Sequence, residues 1–196
     1  MSDQTLMQRL TDRFSKHFWT RIVPLANHLP PKLLARFSGG MDPASFAKLI
    51  AQADDQQLEQ AMQGPLRTVM LDEIVNRMQD EFVPERANEV DAVFQFNITG
   101  GPTGKPDVYQ LKVRDNQCAT SKGAPEEASV SVEIDAVNFL KMTSGQEKGM
   151  NMYLSGRLKM DGAMMLLTRL ESMFNIPETP APAASARRKA TASNAS

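Results

Sequence analysis

The sequence predicts an α+β layered domain behind a helical N-terminal extension, and three observations carry that prediction. Apolar residues repeat at helical spacing up to Phe82. From Asp91 the period changes to alternation over several short segments. After Ser129 strand-like and helix-like stretches follow one another to Phe174. Helices first, then a strand meander and a mixed end, read as a sheet with helices layered on it.

The elements follow in order. A first helix is expected from a Ser2 or Asp3 cap to about Val23, stopped by Pro24. Its Leu6, Leu10, Phe14, Phe18 and Ile22 form one stripe, flanked by Arg9, Arg13, Lys16 and Arg21. Pro30-Pro31 breaks the chain and Ser38-Gly39-Gly40 makes a joint. Asp42-Pro43 opens a helix to about Ala53, and Asp54 starts another to Met62. Gly64-Pro65 precedes a longer helix from Leu66 to Phe82, with Val69, Met70, Ile74, Val75 and Met78 at helical spacing, ended by Pro84.

Strands come next. Asp91–Ile98 places Ala92, Phe94, Phe96 and Ile98 on one side. Val108–Val113 places Tyr109, Leu111 and Val113 on one face, and Asp115-Asn116 reverses the chain into Gln117–Lys122. Ser129–Ile134 points Val130, Val132 and Ile134 inward. Asp135 caps a helix through Met142, closed by Gly145. Met152–Met160 reads as a fifth strand and Ala163–Phe174 as the last helix.

Three organisational units result. Residues 1–40 are a basic amphipathic extension, 41–177 a folded domain with leading helices, and 178–196 a disordered tail without a large apolar residue. Within the domain, the apolar pattern from about Gly64 to Pro177 is self-consistent, so that fragment is expected to fold alone.

Charge separates these units. Residues 1–37 hold six Lys/Arg against two Asp/Glu, whereas residues 38–177 hold thirteen against twenty. An acidic body excludes a nucleic-acid binder, whose positive charge must cover the folded domain. The basic front suits packing on its own domain or on a partner protein. Alternatively it lies on an anionic membrane surface, with Trp19 at the water–lipid boundary. A single cysteine, no apolar run of membrane-span length and no continuous apolar leader segment point to a cytoplasmic protein.

No catalytic apparatus is legible. Gly100–Lys105 (GGPTGK) departs from a phosphate loop in spacing, and Pro106 stands where Ser or Thr is needed, so a hairpin loop is expected. His17 and His28 lack a ligand-spaced partner, Cys118 lacks a histidine base in the sheet region, and Glu126-Glu127 reads as solvated charge. No metal and no cofactor are expected.

An apolar surplus remains. Met142, Met150, Met152, Met160, Met164, Met165 and Met173 crowd into one short region. Methionine is flexible and polarizable, and lines surfaces that accept varied shapes. The last helix carries Ala163, Leu166, Leu167, Leu170, Met173 and Phe174 on one stripe, which Met164 and Met165 widen. A Met-rich core and a ligand-lined wall both satisfy this pattern.

LDEIVNRMQDEF, DAVFQFNITG, VSVEIDAVNFLKMTSG and above all YLSGRLKMDG resemble the sterol carrier protein-two family of non-specific lipid-transfer domains, from Leu71 to Pro177. The leading helices from Asp42 resemble its bacterial members. In that family Gly-Asp enters the last helix. Here Asp161 precedes Gly162, and Asp161 is the expected substitute cap. The resemblance implies a twisted five-stranded sheet covered by helices, enclosing an apolar tunnel. It also implies non-catalytic binding, with possible carriage, of a sterol, fatty acid, fatty acyl-CoA or isoprenoid- or quinone-like lipid. The walls would come from Phe94, Phe96, Ile98, Leu111, Val130, Val132 and Ile134 of the sheet. Phe139, Leu140, Met152, Leu154, Leu158, Met160, Met164, Leu167, Leu170, Met173 and Phe174 would complete them. The alternative is an accessory protein with a self-filled core that docks an enzyme or a membrane through its N-terminal helices.

Overall fold

Alternation of apolar residues along the strands yields a sheet with one apolar face, and all else is arranged around that face. The computed structural model describes residues 43–176. The predicted helix of residues 2–23, the rest of the basic extension and the tail from Glu178 lie outside the described residues. The elements run α1 (Pro43–Ala51), α2 (Asp55–Met62), α3 (Leu66–Asp80), α4 (Pro84–Ala87), β1 (Ala92–Thr99), β2 (Asp107–Arg114), β3 (Gln117–Lys122), β4 (Val130–Asp135), α5 (Ala136–Thr143), α6 (Gly149–Leu154), β5 (Leu158–Gly162) and α7 (Met164–Ser172). The fold is α+β with five strands, as the sequence predicts.

The sheet order is β3-β2-β1-β4-β5. All neighbours are antiparallel except β1 and β4, which pair parallel. The register sets Phe94 between Leu111 and Val130, and Phe96 between Tyr109 and Val132. All six are buried. The β2–β3 reversal has Asp115 at φ 51° and Asn116 at φ 55°, the two left-handed residues of a tight hairpin. The other face is polar. Gln110, itself buried, donates from Nε2 to Gln95 Oε1 (3.1 Å) and to the Glu126 carbonyl (2.7 Å), and its Oε1 accepts from the Glu126 amide (3.1 Å). Asn97 Nδ2 donates to Ser131 Oγ at 2.9 Å. Glu126 is therefore more than solvated charge: its backbone ties the β3–β4 crossover to the sheet, while its carboxylate meets Lys112 at 2.7 Å.

The leading helices belong to the core. Asp54 closes a capping box with Gln57 at the start of α2. Leu49, Ile50, Leu58, Ala61 and Met62 are buried in the same cluster as the sheet residues. A fragment cut at Gly64 would lose these side chains and uncover α5, on which α1 and α2 pack, which weighs against its folding alone. Arg67 at the start of α3 is 3% exposed. Its Nε donates to Asp107 Oδ2 (2.7 Å), and its Nη2 donates to the carbonyls of Ile98 (2.7 Å) and Thr99 (3.0 Å). One guanidinium thereby fixes both ends of the β1–β2 hairpin loop containing GGPTGK. Gly101 leaves room for it, since a Cβ there would lie 3.0 Å from Arg67 Nε.

Other boundaries also differ from the sequence reading. α3 ends at Asp80, and Pro84 opens the one-turn α4, because a proline is tolerated in a first turn where its missing N–H is not needed. Met152–Leu154 are helical rather than part of a fifth strand. The six residues of α6 bury Met152 and expose Leu154, and Gly156 at φ 73° resets the chain before β5. Asp161 does not cap α7: Ala163 holds the cap position without a side-chain hydrogen bond, and Asp161 is exposed within β5.

Candidate functional site

The apolar face of the sheet is incompletely covered. Between α1, α3, α5, α7 and the residues after α7 lies an apolar cavity of about 90 Å³, open on one side. Phe96 lines it from β1, Ile74 and Met78 from α3, Met142 and Thr143 from α5, Leu167 and Leu170 from α7, and Phe46 from α1. Phe174, Asn175 and Ile176 complete the wall. These side chains are placed by spacing: Ile74 and Met78 stand one helical turn apart, as Leu167 and Leu170 do.

Backbone stitching holds the far wall. The Val83 amide donates to the Met173 carbonyl (2.8 Å) and the Asn175 amide to the Glu81 carbonyl (2.9 Å). The rings of Phe82 and Phe174 lie 5.8 Å apart, and those of Phe96 and Phe139 pack edge to face at the same separation. Charge is confined to Arg77, Glu81 and Glu171. Arg77 Nε donates to Glu73 Oε1 at 2.6 Å. Glu171 Oε1 accepts the Gly149 amide at 2.5 Å, where a Cβ on residue 149 would stand 2.7 Å from that oxygen.

The sequence-predicted wall residues separate into four groups. Phe96, Leu167, Leu170 and Phe174 meet at the cavity. Phe94, Ile98, Leu111, Val130, Val132, Ile134, Phe139, Leu140, Met152, Leu158 and Met173 are buried in the packed core and are not among its lining residues. Met160 is partly buried at the core's edge. Leu154 and Met164 are at the surface, 76% and 37% exposed, as is Met165. Phe46, Ile74, Met78, Met142, Thr143, Asn175 and Ile176 are lining residues that the sequence reading did not assign. Ile74 and Met78 were legible as a helical stripe and Met142 as part of the methionine cluster, whereas Phe46 carries no local signal.

Outside the cavity, Tyr109 is tied into a polar cluster with Asp72 and Lys122. Tyr109 donates to Asp72 Oδ1 at 2.5 Å, and Lys122 Nζ lies 2.9 Å from the same oxygen. Burial, then the bond to Asp72, raises the Tyr109 phenol well above its ordinary value. Cys118 is half-buried and burial pushes its thiol up to about 12, which makes it a poor nucleophile. Among the described residues no helix is long and apolar enough to cross a membrane.

Residues 71–175, more than half of the chain, match the SCP-2 sterol transfer family. The chain belongs to that family. The SCP-2 match spans α3 to the cavity's far wall and so includes most of the lining residues. The chain is 28% identical over 115 residues to hydroxysteroid dehydrogenase-like protein 2 of Danio rerio, covering 58% of this chain and 27% of that protein. It is 22% identical over 116 residues to sterol carrier protein 2 of Gallus gallus, covering 59% and 21%. The chain thus spans about a quarter of the length of these relatives. Among solved structures, the apo form of sterol carrier protein 2 from Yarrowia lipolytica is similar with a TM-score of 0.43 and 19% identity, over 55% of this chain and 91% of that one.

Proposed function

We propose that this SCP-2 domain binds a lipid without catalysis, seating a flexible alkyl or isoprenoid chain in the cavity between α3, α7 and β1. The observation that carries this reading is an apolar, half-open cavity, walled by Phe96, Leu167, Leu170 and the adaptable Met78 and Met142, within the family-matched segment. Its volume of about 90 Å³ is smaller than the roughly 150 Å³ of a cavity that admits benzene. A flexible chain can enter such a cavity end-on and continue along the open side. Each methylene removed from water contributes about 0.8 kcal/mol, so several suffice for binding without polar recognition. The poor nucleophile Cys118 and the structural pairing of Tyr109 support the non-catalytic reading.

Native mass spectrometry of the purified full chain, before and after solvent extraction, tests the proposal together with titration by a fluorescent fatty acyl probe. A lipid adduct, or saturable probe binding after extraction, is expected. Neither adduct nor probe binding would instead support an accessory protein with a self-filled core.

A further inference from the structure

We propose that the cavity takes a lipid whose polar end is uncharged and donates a hydrogen bond, a long-chain or isoprenoid alcohol, and rejects one ending in a carboxylate or phosphate. This rests on the lipid-binding reading above and narrows it to a ligand class. The charged lining residues come from two elements. Arg77 belongs to α3 and Glu81 follows it by one turn, while Glu171 enters from α7. The guanidinium is already engaged, since its Nε donates to Glu73 Oε1 at 2.6 Å. Counting Glu73, three carboxylates stand against one cation. Arg86 reaches the wall through Asn175 Oδ1 at 3.2 Å, but Glu85 stands beside it in the chain.

An anionic head seated here would give up its water to meet a surplus of its own sign. The wider domain repeats that sign, with twenty Asp/Glu against thirteen Lys/Arg over residues 38–177. Thr143 offers an anion little help, because its hydroxyl turns back on its own helix, toward the carbonyls of Phe139 (2.9 Å) and Leu140 (3.3 Å). A hydroxyl head suits the same groups. It can donate to a carboxylate, a bond shorter and stronger than one between neutral partners. The Gly149 amide, at 2.5 Å, engages one of the two Glu171 oxygens and so orients that carboxylate.

Competition against the fluorescent fatty acyl probe, used as its uncharged methyl ester, tests this in the full-length protein. Dodecanol and dodecanoate share a chain length and differ at the head. Dodecanol is expected to displace the probe at a concentration about tenfold lower or less. Apolar partition alone favours the alcohol, so the deciding readout is what the carboxylates add. In Glu81→Gln/Glu171→Gln the selectivity ratio is expected to fall about fivefold, because dodecanoate gains. The amide oxygen introduced at position 171 can still accept from Gly149. Glu81→Gln alone leaves that contact untouched and should move the ratio the same way, by about twofold. Added salt should strengthen dodecanoate relative to dodecanol in wild type, and much less in the double variant. A wild-type ratio that neither substitution nor salt moves overturns the proposal, as does dodecanoate displacing the probe as readily as dodecanol. Absence of probe binding, seen before any competitor is added, overturns the lipid-binding reading itself and this proposal with it.

Discussion

A methyl group on residue 162 would lie 2.5 Å from the Ser129 carbonyl oxygen, and Gly162 has a φ of 114°, a conformation that L-side chains rarely adopt. Gly162→Ala is expected to lower stability by about 1–3 kcal/mol, read from the denaturant midpoint at unchanged slope. A change within about 0.5 kcal/mol, the range of an ordinary surface substitution, would contradict that close approach. Tyr109 gives a pH-dependent counterpart. Its folded-state pKa is raised above the unfolded value, first by burial and then by the bond to Asp72. The stability it contributes is therefore complete below about pH 10 and is lost as pH rises above that value. Tyr109→Phe should lower stability at pH 7 by about 1 kcal/mol and flatten the alkaline decline, seen as converging melting temperatures between neutral and high pH. An unchanged alkaline slope would remove the tyrosine from that role. Cys118, with its thiol pushed up to about 12, should react with iodoacetamide far more slowly at pH 8 than an unfolded-state cysteine. Comparison of native and urea-denatured protein measures this.

Among the elements, β1, β2 and β4 were legible because each carries a period of two with one face apolar, and Phe94, Leu111 and Val130 landed side by side accordingly. α6 was not legible: Met152 and Leu154 are two apart, which imitates a strand, and six residues give a helical period too little length to show itself. Nor does local sequence reveal that Arg67 would be buried. Its partners, the carbonyls of Ile98 and Thr99 and the Asp107 carboxylate, lie about thirty to forty residues further on. Arg67→Leu removes the cation that fastens α3 to the β1–β2 loop, and it leaves Asp107 without this partner. Breaking a buried pair costs about 3–5 kcal/mol, and the partial exposure of Asp107 places the expected loss toward the lower end. Thermal unfolding of the variant provides the check, and a loss below about 1 kcal/mol, the level of exposed pairs, would show that the loop does not depend on it.

At the scale of the molecule, the sequence indicated the apolar face but not where the helices leave it uncovered. Phe94 and Phe96 point the same way from one strand, yet only Phe96 is a lining residue, because the opening depends on long-range packing of α3, α5 and α7. The same packing makes the leading helices part of the core: a chain beginning at Gly64 should lose cooperative unfolding and fixed side-chain NMR signals, and a cooperative transition would contradict the shared cluster. The central claim is that the cavity is a lipid site rather than a packing defect, and enlargement of one wall residue tests it most directly. Leu167 is buried and lines the cavity. Overpacking a filled core costs about 1–3 kcal/mol, whereas a cavity absorbs added bulk. Full-length Leu167→Trp is therefore expected to melt close to wild type while binding of the fluorescent fatty acyl probe falls at least tenfold. A strongly destabilised variant that still binds the probe as wild type does would contradict the assignment of the cavity.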